Sequence, residues 1–292
     1  MDAVITYVNG LDPVWLESYE KFIGGSSAGK QYRDWGTLKY LLRGIEKHLP
    51  FVRNVYLVVS GESQVPEWAD RSNLKVVFHK DIIPERFLPV FSPPPIEMFL
   101  YRIPGLDEEF LYFNDDFFPM RDCRPEYFFR DGRAAVSFRY HIIASGFYKH
   151  HCLNCDRLAR KAAGLGPALF FRRPQHTCGA LLRSVCEELY EREGEAVDAS
   201  VSRLRGNSGF NYYLYCNYAF YTGRAFRRKV SNRHFSTAIA PIQKVCDFIA
   251  SPTSDFVCIN DVNMPEEKYQ AYQDSVLEAF GRAFPDISRF EF

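Results

Sequence analysis

Apolar residues come along this chain in short dense runs parted by polar turns, and the runs switch between strand and helix spacing. Ala3 to Val8 is a β-rich run that stops on Asn9-Gly10-Leu11-Asp12-Pro13, a dense turn signal. Pro13 opens a predicted helix through Phe22, with Asp12 placed as its N-cap. Gly24 to Gly29 has the Gly/Ser/Ala composition of a linker. From Asp34 the spacing of Leu38, Leu41, Leu42 and Ile45 predicts an amphipathic helix that Pro50 ends. Strands are predicted at Asn54 to Ser60 and Leu74 to His79. A third, Phe110 to Phe113, breaks off on Asn114-Asp115-Asp116, and a fourth covers Ala134 to Phe138.

From about Tyr140 to Asn232 the pattern changes. Cys178 to Arg192 places Leu181, Leu182, Val185 and Leu189 on one helical face, and Phe210 to Thr222 reads as an aromatic helix. Strand character returns at Asp255 to Ile259, followed by Asn260-Asp261, and Pro265 to Phe280 is a closing amphipathic helix. Strands alternating with helices indicate an α/β domain with a largely parallel sheet. In such sheets ligands gather beyond the carboxyl ends of strands, where the turn after Val8 and the Asn114–Asp116 triplet both fall. Residues 1–292 therefore read as one catalytic α/β domain, with about 140–232 as a helical insertion or subdomain.

Composition narrows the classes. A hydrophobic fraction of 47% with 16% aromatic residues supports a large buried core. Lys plus Arg equal Asp plus Glu at 36 each, so no global field recruits nucleic acid, and any polyanion contact falls to local basic clusters. Met1 to Thr6 reads as a strand rather than a secretion signal, and no apolar stretch reaches membrane-spanning length. Eight cysteines in such a chain read as free thiols of a reducing compartment. Cys152 and Cys155 form a CxxC after His150 and His151, but no second Cys/His pair completes a zinc site, and an ordinary loop is expected. Cys178, Cys186, Cys216, Cys246 and Cys258 are expected to pack as small hydrophobes.

Asn114-Asp115-Asp116 is the sharpest chemical feature. Carboxylates beside a buried strand are costly unless a cation meets them. Mg²⁺ bearing a phosphate suits them, since it takes one or two carboxylates plus phosphate oxygens and water. A turn after a strand is the plain alternative.

Four segments carry a resemblance. The first is Val4-Ile5-Thr6-Tyr7-Val8-Asn9-Gly10-Leu11-Asp12-Pro13. The second runs from Arg33-Asp34-Trp35-Gly36 through Ile45-Glu46-Lys47, His79-Lys80-Asp81-Ile82-Ile83-Pro84, Ile96-Glu97 and Arg102-Ile103-Pro104-Gly105-Leu106 to the acidic triplet. The third covers about His176 to Gly223, and the fourth is Phe256-Val257-Cys258-Ile259-Asn260-Asp261. Together they resemble the Stealth family of hexose-1-phosphate transferases, which includes bacterial capsular polysaccharide phosphotransferases and the catalytic subunit of N-acetylglucosamine-1-phosphotransferase. The resemblance implies a Rossmann-like or GT-A-like sheet and a nucleotide-sugar donor, usually a UDP-sugar. An acceptor hydroxyl attacks the β-phosphorus, UMP leaves, and a phosphodiester joins sugar to acceptor. Such chemistry needs positioning and charge stabilisation more than covalent help.

The same resemblance implies roles. Asp115 and Asp116 hold Mg²⁺, with Mn²⁺ as the alternative, across the diphosphate; a solvated turn is the other reading. Asp261 completes the metal shell or orients phosphate, or is a simple turn residue. Asn9, Gly10 and Asp12 bind the nucleotide, Gly10 by letting backbone approach it and Asp12 by meeting ribose or base; Asp12 equally suits a helix cap. Glu97 orients the sugar or a metal-bound water, or is a surface helix carboxylate. Arg33 and Arg102 contact phosphates or form salt bridges within the fold. His176 takes the acceptor proton, as an imidazole can near neutral pH, although Thr177-Cys178 stands where the family commonly has proline. Arg205, ahead of Gly206-Asn207-Ser208, stabilises charge on the transferred phosphate, with Arg203 as the alternative. His141, His151 and His234 are outside candidates for the base and read first as structural or surface residues. The partners expected are a nucleotide sugar and a glycan, in capsule or surface polysaccharide synthesis, in the cytoplasm and peripherally at the inner face of the membrane. The competing enzyme reading is a metal-dependent GT-A-type glycosyltransferase releasing UDP; a non-enzymatic carbohydrate-binding protein would bind no nucleotide.

Overall fold

The structure, a computed structural model, describes residues 1–25, 32–206, 209–261 and 264–292, and of Phe147 only the backbone. Positions 26–29 of the expected linker, and Asn207-Ser208 after Gly206, lie outside the described residues.

Strand β1 (Asp2–Thr6) leads to helices α1 (Pro13–Ile23) and α2 (Leu38–His48), then β2 (Val55–Val59) and β3 (Leu74–Phe78). Short helices α3 (His79–Ile82) and α4 (Pro93–Glu97) precede β4 (Glu109–Asn114) and β5 (Phe117–Pro119). Next come β6 (Phe129–Arg130), β7 (Arg133–Val136), β8 (Phe138–His141), α5 (Phe147–Ala162), β9 (Phe171–Pro174) and β10 (Gly179–Leu182). Helices α6 (Arg183–Ser200) and α7 (Tyr213–Tyr221) are followed by β11 (Ala225–Arg227), β12 (Asn232–Ser236), α8 (Ile242–Ala250), β13 (Phe256–Asn260) and α9 (Glu266–Ala283).

The class is mixed α/β, as expected. A parallel-rich five-stranded sheet runs in the order β10-β4-β1-β2-β3, with β10 antiparallel to β4. Every residue of β1 and β2 is buried, as is Phe110–Phe113 of β4. Strands covered on both faces read as unbroken apolar runs, which is why these were visible in sequence. Smaller sheets are β11-β7-β6, β12-β13-β5 and the pair β8-β9.

Two compact units are distinguishable. One comprises Met1–Val4, Val77–Tyr112 and Pro125–Lys229; the other comprises Ile5–Val76, Phe113–Arg124 and Val230–Phe292. In the first, α7 packs against α5 and α6 and is buried from Tyr213 to Ala219, as a helix apolar on all sides must be. In the second, β5 pairs antiparallel with β13, α8 packs on α9, and α2 lies on β5. Among the described residues no helix is long and apolar enough to cross a membrane.

Two expectations fail. Gly179–Leu182 is a strand, not the first turn of a helix, and the helix begins at Arg183. Its four residues are buried against β4, and a Cβ at Gly179 would stand 2.9 Å from the Tyr212 ring. Tertiary pairing overrides the helical spacing of the leucines. Cys152 and Cys155 lie within α5, both fully buried, rather than in a loop.

Candidate active site

The acidic triplet closes β4. Asn114 is its last residue, and Asp115 and Asp116 form the two-residue turn into β5. β13 holds this turn: the Ile259 amide donates to the Asp116 carbonyl at 3.0 Å, and the Cys258 thiol donates to Asp116 Oδ2 at 3.3 Å. Burial, then the neighbouring Asp116 and Asp115, push the Cys258 thiol well up, so it keeps its proton and remains a donor. The buried Tyr7 phenol is likewise pushed up, first by burial, then by Asp34, which it hydrogen-bonds, and by Asp115. Tyr269 is raised to about 12 by burial and then by Asp34 and Asp261, with Arg33 opposing. These buried groups report one acidic neighbourhood of Asp34, Asp115, Asp116 and Asp261.

Asn114 Oδ1 is buried with no hydrogen-bond partner among the described residues. An orphaned buried oxygen is costly. Carboxylates and an amide oxygen are also the hard donors Mg²⁺ prefers. The residues present therefore fit a divalent cation. Asp34 was missed from sequence: it stands in the quoted Arg33-Asp34-Trp35-Gly36 segment, but no strand end marked it as an oxygen donor.

The turn after β1 is built mainly from its own contacts. Asn9 Oδ1 accepts from the Leu11 amide at 2.9 Å, and Gln64 brackets Asn9 by accepting from its amide and donating to its carbonyl. Asp12 caps α1, accepting from the Val14 and Trp15 amides at 3.3 and 3.2 Å and from Ser63 and Gln64 at 2.6 and 2.7 Å. Burial raises its pKa, but these bonds outweigh burial and leave it below its ordinary value. Gly10 is needed for a close approach within the fold: its amide donates to the Tyr32 carbonyl, and a Cβ would fall 2.5 Å from that oxygen and from Tyr32 Cβ. Gly10→Ala is expected to cost about 1–3 kcal/mol, read as a lowered urea midpoint. Arg33 pairs with Glu266 at 2.8 Å and lies over the Tyr269 ring, with Nη1 buried and unbonded among the described residues.

The remaining candidates belong to the other unit. His176 is half-buried; its Nδ1 is 3.0 Å from the Tyr213 hydroxyl, which is 2.6 Å from the Tyr148 hydroxyl. Tyr212 donates to the Thr177 carbonyl at 2.9 Å, so consecutive tyrosines at the start of α7 grip the histidine's segment. Burial pushes the Tyr213 hydroxyl well up, so it stays neutral.

Glu97 is a buried carboxylate rather than a surface one. Oε1 accepts from Tyr112 at 3.0 Å and Oε2 from the Tyr212 amide at 2.9 Å. Burial raises its pKa from 4.5 to about 7, against those two bonds. A carboxyl whose folded pKa is raised stabilises the fold fully below its unfolded pKa, and that contribution is lost as pH rises through the folded value. Melting temperature should therefore fall between about pH 4.5 and 7 in the wild type, and Glu97→Gln should flatten that dependence. Arg102 is exposed in a shallow depression with Tyr101, Arg183 and Tyr190, and Arg205 is exposed near the end of the described stretch.

Comparison with known proteins agrees with the resemblance. Residues 31–136 match the family model described as Stealth protein CR2, conserved region 2. The chain is 32% identical to a capsular polysaccharide phosphotransferase WcwK of Streptococcus pneumoniae, covering 100% of this chain and 99% of that protein. It is 31% identical to a receptor polysaccharide phosphotransferase WefC of Streptococcus oralis, with the same coverage. A solved galactosyltransferase LgtC, in complex with donor and acceptor sugar analogs, is 10% identical with a TM-score of 0.43, covering 99% of this chain and 98% of that one. The protein is an enzyme of the transferase class. It belongs to the Stealth family.

Proposed function

We propose that this enzyme transfers a sugar-1-phosphate from a UDP-sugar to a glycan hydroxyl, releasing UMP, in capsule or surface polysaccharide synthesis, and works peripherally at the inner face of the membrane. The carrying observation is the acidic strand-end turn Asn114–Asp116, in a chain similar along its whole length to polysaccharide phosphotransferases.

Asp115, Asp116 and Asp261 would hold Mg²⁺, with Asp34 and Asn114 as further oxygen donors beside them. The ion would supply neutralisation of the diphosphate charge. Asn9 and Asp12 present the turn that meets the nucleotide, and Arg33 and Arg102 offer phosphate contacts. His176 accepts the proton of the acceptor hydroxyl as that oxygen bonds to the β-phosphorus and the bond to the UMP oxygen breaks. Tyr213 accepts the Nδ1 proton of the neutral imidazole, leaving Nε2 as the base; the partner of one ring nitrogen sets the tautomer of the other. Arg205 steadies the charge on the transferred phosphate. Glu97, with both oxygens bonded inside the fold, acts by holding Tyr212 and so the start of α7.

Incubation with a panel of nucleotide sugars and a glycan acceptor, followed by chromatography, tests the reading. UMP and a sugar phosphodiester are expected. UDP with a glycoside would identify a glycosyltransferase instead, and neither product would leave a binding protein.

A further inference from the structure

The β8–β9 pair ends in a bare apolar tip. Register places His141 opposite Phe171, so Ile142 and Ile143, which follow β8, and Leu169 and Phe170, which precede β9, leave the ribbon at the same end. Ile142, Ile143 and Leu169 are 80%, 74% and 91% exposed. One scattered surface leucine needs no explanation; several bulky aliphatics at one ribbon end do. Behind them Tyr140 and Phe170 meet edge to face at 4.9 Å. One step further, Arg139 is registered opposite Arg173.

Charge sharpens the pattern. Residues 139–173 hold seven Lys or Arg and one acid, Asp156, in a chain whose net charge is zero. Asp156 is buried and spends Oδ1 on the Arg172 amide and the Tyr221 hydroxyl. His141, at the ribbon end, is held below the ordinary imidazole range by burial and then by Arg173, Lys149 and Arg139, as a locally positive field requires. Apolar tip, the Tyr140–Phe170 aromatic pair and arginine layer follow the order in which a bilayer presents acyl chains, interface and anionic headgroups.

We propose that this tip docks the protein on an anionic lipid bilayer, with Ile142, Ile143 and Leu169 entering the acyl boundary and Arg139, Arg173 and Lys149 meeting the headgroups. An acidic glycan would satisfy the cations but would leave the aliphatic tip in water. The inference rests on the peripheral placement proposed above and gives it a surface and a lipid chemistry.

Sedimentation of the full chain with vesicles of equimolar phosphatidylglycerol and phosphatidylcholine, against phosphatidylcholine alone, tests it. Binding to the anionic vesicles is expected to be at least about tenfold stronger and to weaken with salt. Combining Ile142→Ser, Ile143→Ser and Leu169→Ser should lower that binding about tenfold or more. A Leu169→Trp variant should show blue-shifted emission on anionic vesicles. Equal binding to neutral vesicles, undiminished binding of the triple variant or an unshifted Leu169→Trp emission overturns the proposal. Concentration-dependent dimerisation that the triple variant abolishes, without vesicle binding, also overturns it and makes the tip an interface between copies. Tight binding to dextran sulfate that the triple variant retains, without vesicle binding, points to a polyanion and overturns it too. Vesicle binding is read without substrates, so its failure leaves the transfer chemistry standing. A protein that binds vesicles but releases no UMP fails only the reading of function.

Discussion

Asp116→Ala is expected to lower transfer at least about a thousandfold, the scale on which charge-stabilising groups act in phosphoryl chemistry. The carboxylate lies in the turn between β4 and β5, and β13 fixes it from two atoms, through Cys258 on Oδ2 and Ile259 on the main-chain carbonyl. Alanine keeps the main-chain bond to Ile259 and loses the thiol contact. The fold should therefore survive with a change in melting temperature of no more than about 4 °C. Chelator should abolish wild-type UMP release, and excess Mg²⁺ should restore the wild type but not the variant. An Asp116→Ala enzyme with near-wild-type turnover would remove the carboxylate from the mechanism; full activity in chelator would remove the metal.

His176→Ala is expected to cost about 10²- to 10⁴-fold in kcat, the usual weight of a general base, with little change in the KM for donor. Tyr213→Phe should fall between wild type and His176→Ala at about tenfold, because it removes one tautomer-fixing bond and leaves the ring in place. A His176→Ala enzyme with near-wild-type kcat would falsify this role.

Much of the fold was legible because the signals were local. Asp12 and Pro13 mark the start of α1 by the rules that govern caps, and the structure shows the Asp12 bonds to Val14 and Trp15; Gly24, read as the start of a linker, closes the helix in the αL conformation. The all-buried strands β1, β2 and β4 were legible because continuous apolar runs need no partner to be recognised. Gly179–Leu182 was not: four small or aliphatic residues suit helix and strand alike, and only pairing with β4 decides between them. The CxxC was misread because α5 carries no side-chain cap to announce its start.

The candidate residues divide in the same way. Residue type and strand-end position marked Asp115, Asp116 and Asp261 as oxygen donors, while His176 was marked as a base only by its place in the third segment of the family resemblance. What surrounds them was decided by tertiary structure. Gly10 turned out to be pressed by Tyr32, Arg33 to be paired with Glu266, and Glu97 to be buried beneath Tyr112 and Tyr212. Asp34 joined the acidic group only once the Tyr7 and Tyr269 phenols were in place to report it. The sequence by itself determined the class of fold, the family and the kinds of chemistry on offer, because composition, caps and short motifs act over a few residues. Which of those groups are bonded away, which are left facing one another, and which way the β8–β9 tip exposes its isoleucines depend on contacts between residues far apart in the chain. Only the folded structure specifies those.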